Sequence, residues 1–109
     1  AMSLFALLPL LAQAHVHLEK SMPAAHSSSV APAQFMLEFE EAVQLTALTV
    51  AKEGSKEVHK LGPLPSKPEK MVEVIAPKLD PGAYALKWRA VGDDGHIMSG
   101  SIPFTVITK

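Results

Sequence analysis

Residues 79–106 read LDPGAYALKWRAVGDDGHIMSGSIPFTV, and the pattern of this stretch decides the fold class. Asp80-Pro81-Gly82 predicts a tight turn, because proline presets its own φ and glycine tolerates the positive φ that follows. From that turn Ala83 to Val91 alternates, with Tyr84, Leu86, Trp88 and Ala90 on one side and Lys87 and Arg89 on the other. A period of two marks a strand with one buried face. Another strand is expected from about Gly100 to Ile107, with Ile102, Phe104 and Val106 turned inward. Proline cannot donate to a ladder, so Pro103 is expected at an edge or a bulge.

The same alternation recurs upstream. Phe35, Leu37 and Phe39 alternate with Met36 and Glu38, and Gln44 to Ala51 is rich in Leu, Thr and Val before Glu53-Gly54-Ser55. Met71 to Ala76 is a short apolar run closed by Pro77. His15 to Lys20 makes a further strand and Glu57 to Leu61 a weak one, while LGPLPSKPEK at 61–70 reads as an internal loop. No amphipathic helix pattern and no internal repeat is present. Seven short strands with turns between them imply an all-β, Greek-key barrel or sandwich.

The chain has 109 residues, enough for one ordinary domain. Ten basic and eleven acidic residues give a net charge of -1, which argues against nucleic acid held by a general positive field. There is no cysteine, which excludes disulfides, thiolate metal sites and a cysteine nucleophile. The apolar excess sits in residues 1–14, AMSLFALLPLLAQA, with eleven apolar side chains and no charge. That stretch is too short to cross a bilayer, which takes about 20 residues. It suits the apolar core of a secretory signal, and Ala12-Gln13-Ala14 has the small-x-small form of a cleavage site. Residues 1–14 are therefore expected to be a signal-peptide remnant or leader. The domain is expected to run over 15–109, with His15 as its first residue.

Catalytic signatures are thin: no GxSxG elbow, no glycine-rich phosphate cradle and no HExxH is found. Histidines carry the remaining chemistry. In Asp94-Gly95-His96 the carboxylate and imidazole, two residues apart in an extended segment, point to one side. Such an N and O pair suits Cu(II), Zn(II) or Ni(II). His15 and His17 repeat the spacing. After cleavage His15 would offer its α-amine as well as its ring, and an amine with a pKa of roughly 7.7–8.0 yields its proton to a metal near neutrality. A competing mode is open to His15-Val16-His17: an unfolded terminus can bind Cu(II) through deprotonated amides and the His17 ring. A strand paired in a sheet has its amides engaged and favours the folded site. His26 and His59 are expected to be solvated. The methionines, including Met22, Met36, Met71 and Met98, are scattered along the chain, and core filling is the expectation for most.

These segments together resemble the CopC-like periplasmic copper-resistance proteins. HVHLEKSMPA resembles the mature amino terminus of that family, APAQFMLEFEEAV its second strand, and 79–106 its Pro-Gly turn, Tyr-x-(apolar)-x-Trp strand, Asp-x-His and closing strand. The resemblance implies a seven-stranded cupredoxin-like β-barrel, also describable as immunoglobulin-like, that binds Cu(II) in the periplasm. It implies the ligands His15 (amine and ring), Asp94 and His96, with His17 a further ligand or outer partner. Some members carry a methionine-rich Cu(I) loop. The corresponding region, 49–70, has no methionine here, so a shuttle between separate Cu(I) and Cu(II) sites is not expected.

The resulting expectation is a monomeric, non-enzymatic carrier that sequesters copper or hands it to a CopD-like inner-membrane transporter. The chain ends without a spanning segment, so that partner is expected as a separate chain. The alternative is a copper oxidase using the histidine brace of lytic polysaccharide monooxygenases. Asp94 weighs against it, since an anionic ligand stabilises Cu(II) against the reduction that oxygen chemistry needs. A third possibility is an immunoglobulin-like interaction module with incidental histidines.

Overall fold

The computed structural model describes residues 17–108. They form β1 (Leu18–Met22), β2 (Ser27–Ser29), β3 (Gln34–Lys52), β4 (His59–Lys60), β5 (Glu69–Ile75), β6 (Gly82–Val91) and β7 (Ile97–Val106). No helix occurs among these residues. The all-β class and the strand number agree with the sequence reading.

β3 organises the molecule. Its first half lies between β1 and β5, both antiparallel to it. Its second half pairs with β6 and, over two residues, with β4. β6 continues to β7, and β7 takes β2 in parallel on its far side. Two sheets therefore share one long strand, and the barrel closes around the side chains between them.

Two strands were expected where β3 runs unbroken for 19 residues. Glu40 and Glu41 look like a polar turn in sequence, yet with Ala42 they lie exposed inside a continuous strand. Register shifts lie between Glu38 and Val43 against β5, and between Leu45 and Ala47 against β6. The second shift changes which face looks inward. Phe35, Leu37, Phe39, Val43 and Leu45 are buried at odd positions, and Leu48 and Val50 at even ones. An extra residue at a bulge has this effect, because side chains alternate with a period of two.

The core is aromatic at its centre. Phe39 meets Trp88 edge-on at 5.1 Å between ring centroids, Phe35 meets Phe104 at 5.9 Å, and Tyr84 stacks on Phe104 at 5.6 Å. The Tyr84 hydroxyl donates to the Asp80 carbonyl at 2.6 Å, which fastens the turn before β6 to the strand it starts. Gly82 takes a positive φ of 149° there.

One strand was not foreseen, and two local expectations are corrected. β2 is a run of three serines with no apolar signal, and it forms by docking on β7. Pro103 is at neither an edge nor a bulge: β7 lies between β6 and β2, and Ala85↔Pro103 continues the β6 register. The Pro103 carbonyl accepts the His26 amide at 2.6 Å, on the β2 side. A residue's N–H and C=O point to the same side of a strand, so the missing donor falls outside the β6 ladder. Met22 and Met71 are exposed rather than core-filling, since Met22 faces Met36 and Met71 faces Glu38 on the outer face of the first sheet.

Candidate metal centre

The β6–β7 connection is short and tied to itself. Val91↔Ile97 is the last strand pair. The Gly92 amide donates to the His96 carbonyl at 2.9 Å, and the Gly95 amide to the Gly92 carbonyl at 3.0 Å. Gly95 has φ of 85°, a left-handed conformation that costs a residue with a β-carbon about 1 kcal/mol or more. With that turn made, Asp94 and His96 fall on the same side.

Their contact is double. Asp94 Oδ1 accepts the His96 backbone amide at 3.0 Å, and Oδ2 lies 2.7 Å from His96 Nδ1. The backbone hydrogen bond, then the side-chain one, hold the Asp94 carboxyl below the ordinary aspartate value. With Nδ1–H donating to the carboxylate, the lone pair of Nε2 is left to face outward from an exposed ring. This is the arrangement in which a carboxylate fixes both tautomer and direction of a metal-binding imidazole.

Among the described residues, no third His, Asp or Glu joins these two in a metal-sized cluster. His17 opens the described chain and is exposed. Its carbonyl accepts the Glu40 amide at 2.8 Å, so the backbone is tied to β3 by that residue. Next along β3, Glu41 and Ala42 line a cavity of ≈ 380 Å³ together with Val91, Gly92 and Asp93. The start of the described chain and the Asp94–His96 loop thus share one end of the barrel. His15 lies outside the described residues. His26 and His59 are exposed, as expected.

Sequence reasoning passed over two neighbours of this loop. Glu41 was legible only as part of an acidic pair after Leu-x-Phe. Met98 was classed with the scattered methionines, although it continues the alternation Asp94-x-His96-x-Met98. An ideal β-carbon built on Gly92 would lie 3.3 Å from Asp94 Oδ1 and 3.3 Å from Met98 Cε. The bare Gly92 therefore lets the carboxylate and the thioether arm both close on the same point.

Known proteins share this frame. The sequence profile of the CopC domain matches residues 18–107. The chain belongs to the CopC family. Copper resistance protein C of Escherichia coli is 32% identical over 105 residues, covering 87% of this chain and 83% of that protein. Copper resistance protein C of Pseudomonas syringae pv. tomato is 34% identical over 105 residues, covering 88% and 83%. CopC from Methylosinus trichosporium OB3b superposes with a TM-score of 0.70 at 27% identity, covering 84% of this chain and 93% of that one. PcoC, a methionine-rich copper resistance protein from Escherichia coli, gives 0.62 at 32%, covering 86% and 100%. The fold of this CopC domain is thus that of the copper resistance proteins, and copper resistance protein C and PcoC are named for resistance to copper.

Proposed function

We propose that this CopC domain is a periplasmic Cu(II)-binding protein that sequesters the ion or passes it to a membrane transporter. The observation that carries the proposal is the Asp94–His96 pair, whose double contact leaves Nε2 of His96 facing outward. His15, freed at the amino terminus by removal of residues 1–14, supplies its amine and ring as the remaining donors. Asp94 orients His96 and, by turning one oxygen, ligates the ion itself. His17 is a further ligand or an outer partner. Nitrogen and oxygen donors in this number suit Cu(II), which stands highest among the divalent ions in affinity. The anionic Asp94 favours the divalent state and so a carrier over an oxidase. A CopD-like transporter would receive the ion.

The experiment is fractionation of the expressing cells, with the mass of the amino-terminal peptide and a copper titration of the recovered protein. The reading expects a periplasmic protein beginning at His15 that takes a single equivalent of Cu(II). Loss of that equivalent in His96→Ala supports it, and undiminished tight binding in His96→Ala contradicts it.

A further inference from the structure

We propose that Met98 is a soft donor of the same loop, and that His96 and Met98 together take a closed-shell monovalent ion, Cu(I) or Ag(I). The proposal shares His96 with the copper(II) reading but needs neither the amine of His15 nor the cleavage that would expose it.

Asp94 and His96 meet across the turn at Gly95. From His96 the chain runs on into β7, so the imidazole and the Met98 side chain, two residues apart, start from the same side of it. In order, residues 94, 96 and 98 present a carboxylate, an imidazole and a thioether, a run from hard to soft. Divalent copper prefers the first two, whereas thioether and imidazole suit Cu(I). Met98 stands opposite Ala90, which is fully buried, and packs partly on the core. It is the inward side chain nearest the loop at the start of β7, and its methyl group reaches the space left by the missing side chain of Gly92. That space is the one against which Asp94 Oδ1 also rests. An unbranched side chain with three rotatable bonds can turn its sulfur from the core towards an ion held by His96 without moving the strand. Met22, Met36 and Met71 have no such setting: the register places them on the outer face of the first sheet, beside Glu38 and Glu73. One loop therefore holds either oxidation state by exchanging donors around His96, and the protein carries out no reduction itself.

The test is a silver titration of the full chain in chloride-free buffer, with methionine methyl groups and histidine rings followed by NMR. The expected result is that the Met98 methyl and the His96 ring shift together and saturate at a single equivalent. Met98→Leu, which keeps an apolar side chain of similar size, is expected to weaken Ag(I) binding by roughly tenfold or more. Its Cu(II) affinity is expected to fall by less than its Ag(I) affinity. The proposal is overturned if the Met98 methyl stays still while silver binds, or if Met98→Leu binds silver as the wild type does. Should Met98→Leu fail to fold, the wild-type methyl spectrum decides. A wild-type chain that ignores Cu(II) but binds Ag(I) at Met98 would sink the copper(II) reading and leave this one standing. The reverse pattern would do the opposite.

Discussion

Asp94 holds His96 at two points, through its backbone amide at 3.0 Å and through Nδ1 at 2.7 Å. The carboxylate thus sets both the path of the loop and the tautomer of the ring. Asp94→Ala is expected to reduce copper affinity by about 10–100-fold, the range seen when the partner of a ligating histidine is removed. Competition with a chelator of known affinity measures it. The histidine ring nitrogens should show His96 passing from one tautomer to a mixture.

The pH dependence of this contact has a definite sign. In the folded chain Asp94 titrates below the ordinary value of 3.8, chiefly through the hydrogen bond from the His96 amide and then through the His96 ring. A carboxyl with a lowered folded pKa contributes stability that is complete above the unfolded value and fades as pH falls through the folded one. The loop should therefore keep its geometry down to the ordinary aspartate range and loosen only below it. Carboxyl carbon shifts followed by NMR would show the midpoint. In His96→Ala the midpoint should rise only part of the way, because the larger contribution comes from the backbone amide, which alanine retains.

Gly92→Ala separates the site from the fold. Its β-carbon would press at 3.3 Å on both Asp94 Oδ1 and Met98 Cε, which are side-chain atoms able to shift by a few tenths of an ångström. The expected outcome is a several-fold loss of copper affinity with thermal stability nearly unchanged, within about 1 kcal/mol. Paired thermal melts and copper titrations check it.

Gly100→Ala should do the reverse. A β-carbon at Gly100 would meet the Trp88 ring at 2.6 Å from Nε1, and Trp88 is packed edge-on against Phe39. The ring is rigid and 8% exposed, so the strand or the indole must move. Overpacking of this kind costs about 1–3 kcal/mol. Trp88 is the single tryptophan of the chain, so a shift in its emission maximum reports the displacement directly.

The strands of this fold were legible wherever one face is buried. Tyr84, Leu86, Trp88 and Ala90 alternate in sequence and line the core in the structure. What escaped is set by tertiary contacts. Glu40 and Glu41 are polar because they lie exposed on the strand, not because the strand stops there. The serines of β2 become a strand only because β7 offers unpaired backbone groups. Asp94 and His96 were legible as a pair from their spacing, but the extended segment expected there is a turn with Gly95 left-handed, and across it the carboxylate grips the ring. Met98 was hidden because the methionines are scattered along the sequence with nothing to single one out, whereas the register sends Met22 and Met71 outward and Met98 inward.

The central claim is that the amine of His15 completes a copper site whose other half is Asp94 and His96. A competition titration of Cu(II) into chains beginning at Ala1 and at His15, run side by side, tests it most directly. Tight binding is expected only in the chain beginning at His15, with affinity lower by roughly tenfold or more when residues 1–14 remain attached. Equal affinity in the two chains would contradict the claim.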